Sequence, residues 1–224
     1  GRCSMTLTSF QGLAKKLDDI DLPLIGRTIG VGEDAIHAIL DTETRGSGFD
    51  AFKRPTALFE PHVFYRQLKA KGDQQLLLLA VSKGLAYQSW GEQPYPKESY
   101  TRIQAAYKLA PNEALMSASW GLGQLMGFNY ALAGYKSVES MVSDFMLDEE
   151  YQLRAMVKFI ISAGLDDELR ALDKAKDNPS LYAAAAAFAR GYNGAGFAKN
   201  GYDDKLVASI KRWRLIKDTP VPMC

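Results

Sequence analysis

A mainly α fold with one short β-hairpin is predicted by three features of this sequence. Apolar residues recur at three- and four-residue spacing along most of the chain. Helix starts and stops are legible. Pro61 and Pro111 suit first-turn positions, Asn178-Pro179-Ser180 opens an alanine-rich segment, and Gly164 and Gly191 stand where helices stop. Strand-like alternation is confined to Gly48-Phe49-Asp50-Ala51-Phe52 and Thr56-Ala57-Leu58-Phe59-Glu60, on either side of a Lys53-Arg54-Pro55 turn.

Taken in order, helices are predicted over 6–19 and 33–44, before the hairpin. After it they are predicted over 62–71, 98–109, 111–119, 130–134, 137–146, 148–163, 165–174, 180–190 and 202–214. The apolar run Leu76–Val81 suits either a buried helix or a strand. Ser89-Trp90-Gly91-Glu92-Gln93-Pro94-Tyr95-Pro96 reads as loop, with aromatics at 87, 90, 95 and 100. Rings on a loop stack on sugar faces when they border a cleft and pack on the core when they do not. The alanines at 183–187 allow close approach of their helix to another backbone.

At 224 residues and 47% hydrophobic, the chain can bury a full core as one domain. No linker or internal repeat divides it. Gly1-Arg2-Cys3-Ser4, ahead of Met5, reads as a tag remnant, so the single domain is expected over 5–224. Basic and acidic residues number 27 and 26, a balance that gives no field to recruit nucleic acid or an anionic membrane. No apolar run is long enough to span a bilayer, and no secretory signal opens the chain. Thiols occur only at Cys3 and Cys224, and histidines only at 37 and 62. Neither a disulfide framework, a His-rich metal site nor a Cys-His nucleophile is expected, and no cofactor is called for.

Glu43 is the chemically informative residue. Ile36, Ile39 and Leu40 share one face of their helix, and position 43 continues it. Thr44-Arg45-Gly46 then ends the helix, so the carboxyl lies in its last turn. Burial and the negative helix terminus both disfavour the ionised form. An acid that keeps its proton near neutral pH can protonate a leaving oxygen. The structural alternative is a boundary glutamate paired with Arg45 or another base.

Two later segments add polar groups at tight turns. Ser117-Ala118-Ser119-Trp120-Gly121-Leu122-Gly123-Gln124-Leu125-Met126-Gly127 sets glycines around one amide. Arg190-Gly191-Tyr192-Asn193-Gly194 places Tyr192 and Asn193 just past the expected helix end. Acid, Gly-Leu-x-Gln-like turn and Tyr-Asn-Gly turn, in that order, resemble the lysozyme-like superfamily. Goose-type lysozymes and soluble lytic transglycosylases belong to it, and the N-acetylmuramidase domain of phage endolysins is the nearer likeness. Glu43-Thr44-Arg45-Gly46-Ser47-Gly48-Phe49, Pro55–Phe64, Ala118–Tyr130 and Tyr192-Asn193-Gly194 carry it, and it runs from about residue 25 to 213.

The resemblance implies a lysozyme-like globular domain that cleaves the β-1,4 bond between N-acetylmuramic acid and N-acetylglucosamine in peptidoglycan. It implies that Glu43 is the general acid, that Tyr192 reaches toward it, and that Gln124 lines the glycan cleft. Ser119, Asn129 and Asn193, beside the same turns, and Trp90 as a stacking ring complete the substrate-binding candidates. Gly123 stands where the relatives carry Met, and Thr44 where they usually carry Ser.

A hydrolase of this class needs a second carboxylate, about 6.5–9.5 Å away to activate water or about 5–5.5 Å away as nucleophile. Glu60, held between Phe59 and Pro61, and Asp50 on the first strand are the candidates. Each has a structural alternative, Glu60 at a helix start and Asp50 as anchor for Lys53-Arg54. A lytic transglycosylase needs only one acid, because the sugar's 6-hydroxyl attacks. A non-catalytic peptidoglycan-binding module is the other alternative. Zinc or cysteine peptidases are disfavoured by the scarce histidines and terminal thiols. The expected setting is a monomeric phage endolysin, made in the host cytoplasm and acting on the periplasmic sacculus after holin opens the inner membrane.

Overall fold

The computed structural model describes residues 9–44 and 46–222. The segment Gly1–Ser4 expected to be a tag remnant, both cysteine thiols and any Arg45 pairing of Glu43 lie outside the described residues. In chain order the helices are α1 (Asp21–Ile29), α2 (Glu33–Glu43), α3 (Pro61–Lys71), α4 (Gln74–Ser82), α5 (Tyr100–Leu109), α6 (Pro111–Met116), α7 (Val138–Phe145), α8 (Glu149–Ser162), α9 (Asp166–Lys174), α10 (Asn178–Asn193) and α11 (Tyr202–Arg214). Three short strands, β1 (Ala57–Phe59), β2 (Ala118–Trp120) and β3 (Leu125–Met126), form an antiparallel sheet in the order β1-β2-β3. The mainly α expectation holds.

The chain divides into two compact units. One comprises the residues up to Lys15 with Ser47–Gln152, the other Lys16–Gly46 with the chain from Leu153 onward. The sheet belongs to the first unit. Its strands are not those of the expected hairpin. Residues 48–56 do turn back, through the Phe49–Pro55 bridge and the Thr56 N–H to Gly48 carbonyl bond of 2.9 Å. Yet β1 pairs with β2, Leu58 opposite Ser119. The strand expected within 56–60 is present at 57–59, but a partner some sixty residues away cannot be seen in a local pattern.

Residues 9–19 are not helical. Phe10 and Ala14 have positive φ, 56° and 48°. The strap is stitched instead to the turn before α8, with Ala14 N–H on Met146 carbonyl at 3.1 Å and Glu149 N–H on Lys15 carbonyl at 2.9 Å. Phe10 is buried, stacked 5.8 Å from Trp120. Trp120 in turn donates its indole N–H to Leu115 carbonyl at 2.9 Å, which satisfies its one polar group in the core. Residues 118–119, expected to end a helix, belong to β2, and 130–134 are turn rather than helix.

In the second unit, α2 packs chiefly against α11, and α10 against α9 and α11. Ile36, Ile39, Phe188, Leu206 and Ile210 are fully buried there. Asp41 fastens α2 to α11. It accepts from Ser209 Oγ at 2.6 Å, from Trp213 Nε1 at 2.8 Å and from Arg212. His37 lies flat on the Trp213 indole, 3.5 Å between centroids and 7° between planes. The unpredicted α1 holds Pro23 in its first turn, where its missing N–H is tolerated. Gly191 does not stop α10. A side chain there would meet Leu165 Cδ2 at 2.2 Å, so the glycine marks close packing, and the helix runs on to Asn193. In the alanine run Ala183 and Ala187 are exposed, Ala184 and Ala186 half-buried and Ala185 fully buried.

Candidate active site

Glu43 is the last residue of α2, and Thr44 leaves the helix with extended backbone. Thr44 N–H still reaches Leu40 carbonyl at 3.1 Å, and its hydroxyl caps the same oxygen at 2.5 Å. The end of the helix is therefore sharp, and the half-buried Glu43 side chain is set by it. Asn193 Nδ2 donates to Glu43 Oε1 at 3.1 Å. Burial pushes the Glu43 carboxyl above its ordinary 4.5, while the Asn193 hydrogen bond and then the Lys205 ammonium oppose the rise.

Because α10 passes through Gly191, Tyr192 and Asn193 occupy its last turn rather than a loop beyond it. Tyr192 stacks on Phe188 at 5.6 Å and 15°, and meets Phe159 edge-on at 6.2 Å. Its phenol is held far above the usual range, first by burial and then by the charge of Glu43. The second unit thus brings together Glu43, Tyr192 and Asn193. Lys205, on the first turn of α11, is a neighbour that no sequence motif marked.

In the first unit, Glu60 is the cap residue of α3, yet its side chain makes no capping bond. Its backbone is fixed by the N–H to Ser117 carbonyl bond of 2.8 Å. The carboxylate Oε2 accepts from Tyr95 Oη at 2.5 Å, with His62 Nδ1 3.3 Å away. Trp90, 71% exposed, stands beside Tyr95 as a donor to its hydroxyl. Tyr87, from the same loop, lines a cavity of about 330 Å³ with Tyr65, Leu77 and Val81. Of the loop aromatics, Tyr95 reaches Glu60 with the exposed Trp90 beside it, while Tyr87 faces the cavity and Tyr100 donates to Pro55 carbonyl.

Asp50 is engaged otherwise. Its Oδ1 accepts from the N–H groups of Phe52 at 2.9 Å and Arg54 at 3.0 Å, and Oδ2 pairs with Arg54 Nε at 2.8 Å. Gln124, at φ 47°, is likewise bound into its own turn. Its Nε2 donates to Gly121 carbonyl at 2.9 Å and Thr56 carbonyl at 3.1 Å, and Ser119 Oγ donates to its Oε1 at 2.9 Å. Asn129 sits half-exposed on a 3-10 turn, Gly127–Asn129, and its side chain bonds to no described residue.

Gln152 was not anticipated. Buried on α8, it accepts from Leu122 N–H at 2.8 Å and donates to Gly48 carbonyl at 3.2 Å and Phe145 carbonyl at 3.0 Å. Gly121, at φ +73°, lies against it, where a side chain would meet Gln152 at 2.7 Å. Glu149 Oε2 holds Gly48 N–H at 2.9 Å. These two residues tie the segment after Glu43 to the glycine turn. The only hint in the sequence was polar residues on the buried side of a helix. Among the described residues no group of three His, Cys, Asp or Glu is disposed to hold a metal ion.

The N-acetylmuramidase family profile matches residues 33–214, which takes in parts of both units. The crystal structure of the Burkholderia AP3 phage endolysin is similar over 90% of this chain and 73% of its own, at 32% identity and a TM-score of 0.76. The endolysin of Enterobacteria phage PRD1 is 38% identical over 98 residues, 42% of this chain. That match spans 59% of the PRD1 protein's length. With most of its length matched by the family profile, the chain belongs to the N-acetylmuramidase family, and phage endolysins are among its relatives.

Proposed function

We propose that the chain is a peptidoglycan hydrolase of the endolysin type, cleaving the β-1,4 bond from N-acetylmuramic acid to N-acetylglucosamine. The observation that carries this reading is Glu43, a half-buried carboxyl with its proton affinity raised, held by Asn193 beside Tyr192. Family membership supplies the substrate class.

In this mechanism Glu43 gives its proton to the leaving glycosidic oxygen as the bond from that oxygen to the anomeric carbon breaks. Water attacks the anomeric carbon, and Glu60 takes the proton that water releases. Glu60 is assigned this role over Asp50 because its side chain is not spent on a cap or turn, whereas every Asp50 contact serves the 50–54 turn. Trp90 offers a ring face to a sugar. Ser119 and Gln124 shape the turn, and Asn129 keeps its amide for substrate. The chain acts as a monomer on glycan strands, reaching the periplasm after holin-dependent release, and needs no cofactor. No helix among the described residues is long and apolar enough to cross a membrane.

The lytic transglycosylase reading is favoured by one feature, Tyr192 next to the acid, which its relatives share. Mass spectrometry of digested sacculi separates the two. Hydrolysis leaves reducing muramic ends, and transglycosylation leaves anhydro ends lighter by one water. Intact sacculi after prolonged incubation would remove both.

A further inference from the structure

We propose that Tyr95 is a positioning residue for Glu60, anchoring one carboxylate oxygen so that the other stays free to accept a proton. The inference rests on the reading of Glu60 as the water-activating base. An ionised carboxylate only accepts, so in the 2.5 Å contact it is the Tyr95 hydroxyl that donates, to Oε2. The Trp90 indole can only donate, and its influence on Tyr95 keeps the phenol's own proton turned toward Glu60. His62 Nδ1 lies 3.3 Å from the same oxygen but makes no hydrogen bond, which leaves the Tyr95 hydroxyl as the hydrogen-bond donor to Oε2 among the described residues. No donor among the described residues reaches Oε1.

The segment that carries the phenol is stiff. Tyr95 sits between Pro94 and Pro96, and each ring fixes its own φ while restricting the residue before it. Little conformational freedom is then lost in holding the hydroxyl against Glu60. The phenol also keeps its donor at any working pH. Burial first, and then Glu60, push it to about 12.

The test is the pH dependence of kcat/KM on purified sacculi for wild type, Glu60→Gln, Tyr95→Phe and the double variant. In Tyr95→Phe the acid limb, where the base loses its charge, is expected to move up by about one pH unit. On that limb kcat should fall about tenfold with KM unchanged. In the Glu60→Gln background the same change should add less than about twofold. A fluorotyrosine at 95, more acidic and of nearly the same shape, should move the limb the opposite way and keeps the test decisive if the Phe variant folds poorly. An unmoved limb in Tyr95→Phe and the fluorotyrosine protein, with Glu60→Gln inactive, overturns the inference and leaves the Glu60 reading standing. Near-full activity of Glu60→Gln removes that reading itself, and the inference with it.

Discussion

Asn193 donates a hydrogen bond to Glu43 from 150 residues further along the chain, at 3.1 Å. The contact joins the C-terminal turns of two helices, so neither side chain hangs from a flexible loop. Replacing Asn193 by Leu removes an interaction that favours the carboxylate, and the Glu43 carboxyl should rise further. The alkaline limb of kcat/KM, where the acid has lost its proton, is expected to move to higher pH. Lys205→Gln should move it the same way by less, and the Lys205 effect should shrink with added salt because that side chain is exposed.

Glu43→Gln separates catalysis from stability. On the proposed role of Glu43 as proton donor, turnover should fall by about a thousandfold or more. The stability effect has a definite sign. Below the ordinary 4.5 the proton is on Glu43 in folded and unfolded chains alike, and the two proteins should melt together. As pH rises through the raised folded value, the wild type must ionise a carboxyl that folding disfavours, and it loses stability that Gln does not. Melting temperatures across pH should therefore diverge in favour of Glu43→Gln toward neutrality. A variant that melts lower than wild type at neutral pH would show the carboxylate to be a stabilising partner instead.

The half-buried place of Glu43 at the end of α2 was legible because a carboxyl at the end of an apolar stripe breaks a local rule, and local rules can be checked along the sequence. The exact place of Tyr192 was not, because Gly191 was read as a helix stop. Its role is spatial, the room it leaves for Leu165, and a neighbour some twenty-five residues away leaves no periodic trace. The partner of β1 was hidden for the same reason. The strap at 9–19 carries helix-like spacing, yet its backbone bonds go to 146–149, and two positive φ values break any helix. Gln124 and Ser119 were placed in the right turn, but their polar atoms are spent on each other and on backbone carbonyls. That accounting needs coordinates.

Asp50 and Glu60 should respond differently to substitution. Asp50→Ala leaves two N–H groups and Arg54 without their acceptor, at a cost of about 1–3 kcal/mol for an ordered, partly buried turn. Its melting temperature should drop, while turnover per folded molecule at low temperature stays within a few-fold of wild type. Glu60→Gln should do the reverse, losing about a hundredfold or more in turnover with little change in melting. Activity and stability falling together at Glu60 would make it a structural residue of the α3 corner.

Gln152→Leu is expected to be the most destabilising of these changes, although the residue touches no candidate catalytic group. Leucine matches the volume but strands the Leu122 N–H and the Phe145 carbonyl, and it takes from the Gly48 carbonyl one of two donors, leaving the Thr56 N–H, all inside the first unit. Each orphaned buried group costs about 1–3 kcal/mol, so the sum reaches a large part of a typical domain's stability. Glutamate at the same position would keep an acceptor for Leu122 but offer nothing to the two carbonyls, and would bury a charge as well. Denaturant unfolding should therefore rank wild type above Gln152→Leu and place Gln152→Glu no higher than Leu. If Leu proves neutral, the three hydrogen bonds do not hold the 48 and 122 segments together, and the shape of the glycine turn must come from Gln124, Ser119 and the Gly121 N–H to Thr56 carbonyl bond of 2.7 Å.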